Sequence, residues 1–163
     1  MPKFVADSAE ATGLKWAAPA SGSTFVGCSV YNSAAQTIAN ATYTAVTFNT
    51  ENFDTDGFHS TSSNTSRITV PSGKGGYYLL VANTNWVQNS SGQRNNYFYK
   101  NGTKIYQQDF EQPGNLVYPG YGYSVITQGA VADYFEWYVY QDSGGNLNFR
   151  SERVNFQAYY LGA

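Results

Sequence analysis

From residue 24 onward, apolar and polar positions alternate in short runs separated by turn residues, a period of two that belongs to strands. The run "TFVGCSVY" (24–31) sets Phe25 and Val30 among small residues, and "TYTAVTFNT" (42–50) places Val46 and Phe48 on one face. In "RITVPSGKGGYYLLVANTNWV" (67–87) two strands flank a Pro-Ser-Gly-Lys-Gly-Gly turn. The second strand sets Tyr78, Leu80, Ala82, Thr84 and Trp86 against Tyr77, Leu79, Val81, Asn83 and Asn85. "NNYFYKNGTKIY" (95–106) divides at Asn101-Gly102, a hairpin signal because both central residues tolerate positive φ. "DYFEWYVYQDSGGNLNFRS" (133–151) turns at Ser-Gly-Gly-Asn, and "RVNFQAYYLG" (153–162) closes the chain. No run has helical spacing, so the pattern predicts an all-β sandwich or barrel of about seven to ten strands. "QQDFEQPGNLVYPGYGYS" (107–124) is less regular and reads as a long loop or a strand with bulged edges.

The strand 134–140 carries apolar side chains on both faces: Tyr134, Tyr138 and Tyr140 share one with Glu136, while Phe135, Trp137 and Val139 share the other. A strand with two apolar faces is covered on both sides. One side is the sandwich core; the other is a subunit interface or binding face, with an exposed tyrosine ladder as the simpler alternative.

Composition sharpens this picture. Aromatic residues make up 17% of the 163 residues, and charged residues only 12%, about half the usual share. A chain of this length suits one domain with a sizeable core. The 28 aromatic rings (15 Tyr, 10 Phe and 3 Trp) are more than such a core obviously houses. The net charge of −2 and the lack of a basic run argue against nucleic-acid binding. No stretch approaches the roughly 20 apolar residues of a membrane-spanning helix, so membrane insertion is not expected. The single cysteine, Cys28, is expected to be a small buried hydrophobe in the first strand. No charged-then-apolar signal peptide opens the chain. The sequons at Asn40, Asn64, Asn89 and Asn101 therefore point to turns, and the chain reads as assembled in a reducing cytoplasm or cut from a longer precursor.

Catalytic chemistry is poorly supplied. The one histidine, His59, lies in the polar stretch "DGFHSTSSNT", where a solvated role is expected, and no G-x-S-x-G elbow accompanies it. Paired carboxylates for glycoside cleavage would come from Glu51, Asp54, Asp56, Asp133 and Glu136. Asp133 and Glu136 have opposite parity on one strand and point apart. Asp54 and Asp56 precede Gly57 as calcium ligands can, but Ser63 stands where an EF-hand loop has glutamate. An Asx-type turn is the expected role of that pair, and no cofactor is expected.

Taken together, "TYTAVTFNTENFDTDGFHS", "RITVPSGKGGYYLLVAN", "YFYKNGTKI", "AVADYFEWYVYQDSGG" and "VNFQAYYLGA" resemble, in order, the C1q/TNF-like jelly roll over residues 25–163. Ala132 stands where that family usually has glycine before the aspartate. The resemblance implies a jelly-roll sandwich of about ten antiparallel strands. It also implies a homotrimer with aromatics on its three-fold axis, and binding through exposed loops instead of catalysis. Tyr138, Tyr140, Phe156 and Tyr160 are the candidate core or axis positions. "FVADSAEATGLKWAAPASG" (4–22) is similar to a segment common in bacteriophage virion proteins, where it joins a repetitive fibre stem to a C-terminal head. Residues 1–22 are thus expected to form an extended connector, with Leu14 and Trp16 as apolar anchors, ahead of a domain spanning 23–163.

The implied function is a virion structural protein, a trimeric fibre head on tail or capsid that meets other virion proteins through its stem. Host-surface glycan binding is expected of such a head, with Tyr118, Tyr121, Tyr123, Trp86 and Asn95 as candidate exposed contacts. A purely architectural domain is the alternative. A polysaccharide depolymerase and a complement-like or cytokine-like ligand rank below these.

Overall fold

The computed structural model describes residues 3–6, 14–17, 24–111, 120–151 and 153–163. Among these residues there is no helix. The strands are β1 (Lys3–Ala6), β2 (Leu14–Ala17), β3 (Gly27–Tyr31), β4 (Thr37–Ile38), β5 (Thr44–Ala45), β6 (Thr50–Asp54) and β7 (Arg67–Thr69). They continue as β8 (Gly76–Asn85), β9 (Gln93–Lys100), β10 (Thr103–Glu111), β11 (Gly120–Gly129), β12 (Tyr134–Gln141), β13 (Leu147–Asn148) and β14 (Asn155–Gly162). One sheet runs β11-β8-β14-β3-β6 and the other β10-β9-β12-β5, with β7 also on β12; β4 pairs with β13, and β1 with β2. Every pairing is antiparallel. The predicted all-β sandwich is thus observed. The irregular stretch at 107–124 resolves at its ends into strand, 107–111 extending β10 and 120–124 opening β11.

The alternation read from the sequence decides which side chains fill the space between the sheets. Tyr78, Leu80 and Ala82 of β8, Cys28 and Val30 of β3, and Phe156 and Ala158 of β14 are buried from one sheet. Phe135, Trp137 and Val139 of β12 and Phe98 of β9 are buried from the other. The sheets meet through rings: Phe156 stacks on Phe98 at 5.8 Å, and Tyr78 lies 5.6 Å from Phe135. Such pairs add to the area they bury. Cys28 is the small core residue its sequence setting predicts, and burial pushes its thiol far above the ordinary value.

Polar side chains inside the sandwich bond across strands and to the turn after β12. Trp137 Nε1 donates to Asn96 Oδ1 at 3.1 Å. Gln141, fully buried, donates to the carbonyls of Ile38 (3.1 Å) and Gly145 (2.8 Å) and accepts from the Ser143 amide (2.9 Å), which fixes the turn after β12. At the β9–β10 hairpin, Asn101 and Gly102 have φ of 51° and 75°, the mirror-turn conformation that their sequence signals.

Candidate functional site

The inward faces of both sheets are occupied by the core, which leaves two outward faces for interaction, and their chemistry differs. On the first sheet, Ile126 of β11, Leu79 of β8 and Tyr159 of β14 stand in one row across three strands. Ile126 is 62% exposed, and Tyr77 (50%) and Leu161 (54%) lie close by in the chain on β8 and β14. Phe25 extends the patch, its ring 5.7 Å from Tyr159 and 5.5 Å from Phe53 of β6. Two rows further on, the same face turns polar: Asn83 Nδ2 donates to Asn155 Oδ1 at 2.8 Å, and Gln157 Nε2 donates to the same oxygen at 3.1 Å. The face is therefore graded, apolar toward the start of β8 and amide-rich toward its end.

The outward face of the second sheet is built of tyrosines. Tyr138 of β12 stands opposite Tyr97 of β9, and Tyr140 opposite Asn95. Tyr43, just before β5 and 57% exposed, lies 5.2 Å from the Tyr97 ring and 5.1 Å from Tyr140. Tyr99 and Tyr138 lie 4.5 Å apart. Charges of both signs are held here by hydrogen bonds. Glu136 accepts from Ser66 Oγ at 2.7 Å and from Arg67 Nε at 3.5 Å, and the Arg67 guanidinium lies 3.9 Å over Tyr134. Lys104 Nζ donates to Gln107 Oε1 at 2.6 Å, and Gln107 Nε2 donates to both Asp109 oxygens at 3.0 and 2.8 Å. Burial pushes the Tyr97 phenol up to about 12, with Tyr43 adding to the rise and Asn95 opposing it.

Several sequence-predicted positions lie elsewhere than expected. Trp86 is not a surface contact: it is fully buried, 4.2 Å from Phe149, with the Arg94 guanidinium 5.6 Å over its ring. The reason is that Trp86 bridges to Phe149, just past β13, which closes that end of the sandwich. Tyr123 is buried as well, because its β11 position pairs with inward-facing Ala82; Tyr121, beside Thr84, is half-buried. Asn95 lies on the tyrosine face but is only 8% exposed. Tyr118 lies outside the described residues. Of the core-or-axis candidates, Phe156 is core, and Tyr160 packs on it 5.4 Å from Tyr78. Tyr138 and Tyr140 are outside the core, on the outward tyrosine face. Leu14 and Trp16 lie on β2, opposite Ala6 and Phe4, with their side chains outside the described residues.

His59 is not a solvated loop residue. Its side chain is buried, with Nδ1 3.0 Å from Glu51 Oε1 and Nε2 3.2 Å from the Thr65 carbonyl. Asp54 spends both oxygens on backbone N–H groups: Oδ1 accepts from Asp56 (3.2 Å), Gly57 (2.9 Å) and Phe58 (3.0 Å), and Oδ2 from His59 (2.9 Å). Asp56 is engaged by Thr55 Oγ1 at 2.6 Å and Lys74 Nζ at 3.1 Å. This is the Asx-type turn expected of the pair. Among the described residues no group of three His, Cys, Asp or Glu side chains could hold a metal ion.

Sequence reasoning missed Tyr77, Leu79, Ile126 and Tyr159 as one outward patch. The signal was present in "YYLLVA" (77–82), which is apolar at both parities.

No described protein family and no curated protein matches this sequence. Solved structures do match. Murine APRIL at pH 5.0 superposes with a TM-score of 0.64 at 10% identity, over 85% of this chain and all of that one. The globular domain of zebrafish complement 1qA protein gives 0.59 at 13% identity, over 84% of this chain and 98% of the other. The Eiger TNF of S. frugiperda gives 0.57 at 10% identity, over 85% and 93%. The fold is a C1q/TNF-like jelly roll.

Proposed function

We propose that this chain is the head domain of a bacteriophage virion fibre, a non-enzymatic structural protein that works as a homotrimer and meets other virion proteins through its N-terminal connector. The observation that carries the reading is the exposed apolar patch around Ile126, Leu79 and Tyr159 on a chain with few surface charges. An aliphatic and aromatic patch of this kind on a sheet face is what a self-association surface requires. The similarity of residues 4–22 to phage stem-to-head segments supports the virion setting. The state of the acids and the single histidine supports a non-enzymatic role. His59 is locked between Glu51 and Thr65, while Asp133 binds the Ala130 amide and Glu136 binds Ser66.

The test is solution mass by light scattering, on the whole chain and on a version starting at Gly22. Trimers in both assign self-association to the sandwich. A trimer only with residues 1–21 assigns it to the connector. Monomers in both reject the homotrimer. An adsorption assay with headless particles then separates a receptor-binding head, which would be missed, from a purely architectural one.

A further inference from the structure

We propose that the tyrosine face of the β10-β9-β12-β5 sheet is a binding platform for neutral carbohydrate, centred on Tyr43, Tyr97, Tyr140 and Asn95. The inference deepens the fibre-head reading by naming the ligand class and the face that meets it. Three observations select a neutral, hydroxyl-rich ligand. First, rings supply the binding area: Tyr43 is 57% exposed and lies 5.1 Å from half-buried Tyr140, and both belong to one cluster with Tyr97, which is itself buried 5.2 Å from Tyr43, so Tyr43 and Tyr140 carry the accessible ring surface. Sugars offer C–H faces to such rings and hydroxyls to their polar tips.

Second, the charged groups on this face balance in sign. Lys104 and Asp109 are joined through Gln107, and Arg67 meets Glu136. The two cations, Lys104 and Arg67, are offset in number by the two anions, Asp109 and Glu136, so these groups carry no net charge and charge complementarity favours a neutral partner. Third, Asn95 stands beside Tyr140 with its Oδ1 buried and without a hydrogen-bond partner among the described residues. A buried acceptor in that state is costly and calls for a donor. A sugar hydroxyl docked beside Tyr140 is the donor assigned to it. The opposite sheet has the reverse character, with Ile126, Leu79 and Leu161 suited to protein association, so the two faces need not compete.

The experiment is binding of the purified chain to a printed array of neutral hexose and N-acetylhexosamine oligosaccharides, with sialylated and sulfated glycans on the same array. Any neutral hit is then titrated by saturation-transfer NMR. The expected result is a neutral hit that Tyr43→Ala weakens about tenfold or more. Tyr140→Phe, which removes only a hydroxyl, is expected to weaken it less. Tyr43 is exposed, so its removal leaves the fold intact, and an unchanged melting temperature checks this. No neutral hit, a preference for acidic glycans, or unchanged binding by Tyr43→Ala overturns the platform. Light scattering keeps the two readings apart. A trimer that binds no sugar removes the platform alone, while a monomer that binds neutral sugar through Tyr43 removes the trimeric head alone.

Discussion

Ile126 stands directly opposite Leu79 on the outward face of the β11–β8 pair, and Tyr159 flanks Leu79 on its other side. Three large apolar side chains in one row across adjacent strands, facing away from the core, are in place before any partner arrives. Ile126→Glu puts a carboxylate at the exposed end of that row. Burying it against another copy of the chain would cost several kcal/mol. The variant is expected to run at the monomer mass of 17.9 kDa in light scattering while keeping its melting behaviour as a monomer. An unchanged oligomer would move self-association to another surface.

Phe156 has the opposite role. It is fully buried between Phe48, 6.0 Å away, and Phe98, 5.8 Å away on the facing sheet. Phe156→Ala removes a ring that touches both layers and leaves a cavity, so the expected loss is about 3–5 kcal/mol. In a chain of this length that lowers the melting temperature by roughly 6–20 °C. Calorimetry on Phe156→Ala beside Ile126→Glu separates core from surface: only the first is expected to destabilise the protomer.

The sequence made some of this legible and hid the rest for a physical reason. Strand faces are local: Tyr78, Leu80 and Ala82 inward, with Tyr77, Leu79 and Val81 outward, follow from the period of two. So does the split of β12 into Phe135, Trp137 and Val139 against Tyr134, Tyr138 and Tyr140. The turn at Asn101-Gly102 is equally local. Depth at a strand end is not. Trp86 looked like an exposed platform residue because nothing near it in sequence covers it; the cover is Phe149, brought in by the β4–β13 pair. His59 is buried by Glu51 and by the return of the chain at Thr65, and Tyr123 by a register with β8 that spans some forty residues of chain. Which of two apolar faces meets a partner depends on how the sheets cross, and no single strand encodes that.

Asp133 links the β9–β10 hairpin to the start of β12. Its Oδ1 accepts from Asn101 Nδ2 at 2.6 Å and its Oδ2 from the Ala130 amide at 2.9 Å. These bonds favour the carboxylate and hold its pKa below the ordinary value, with the Asn101 bond the largest cause and Lys100 assisting. Because the folded pKa lies below the unfolded value of about 3.9, the stabilisation is fully present above that value. It is lost as pH falls through the folded pKa. Asp56 contributes with the same sign, through Thr55 first and Lys74 next. Asp133→Asn is therefore expected to be less stable than the parent at neutral pH, with the gap closing below about pH 4. Chemical denaturation at a series of pH values measures it, and a gap independent of pH would show that the carboxylate's charge plays no part.

Ala132, next to that aspartate, has φ of +70° and is one of the few described non-glycine residues with positive φ. Its amide donates to the Val70 carbonyl at 3.0 Å, and the Asp133 amide donates to Ala130 at 3.0 Å, so the tight turn cannot relax without losing both bonds. For an L-residue the left-handed conformation costs roughly 1–2 kcal/mol, whereas glycine adopts it freely. Glycine also loses more chain entropy on folding, which offsets about 0.4–1 kcal/mol of the gain. Ala132→Gly is expected to stabilise the protein by about 0.5–1 kcal/mol, a rise of roughly 1–4 °C in melting temperature. Ala132→Val is expected to lower it, since a β-branched side chain fits this region worse than alanine. Thermal unfolding of the pair decides the matter by its order: glycine above alanine above valine identifies backbone strain, and any other order means that the turn is held by something other than φ.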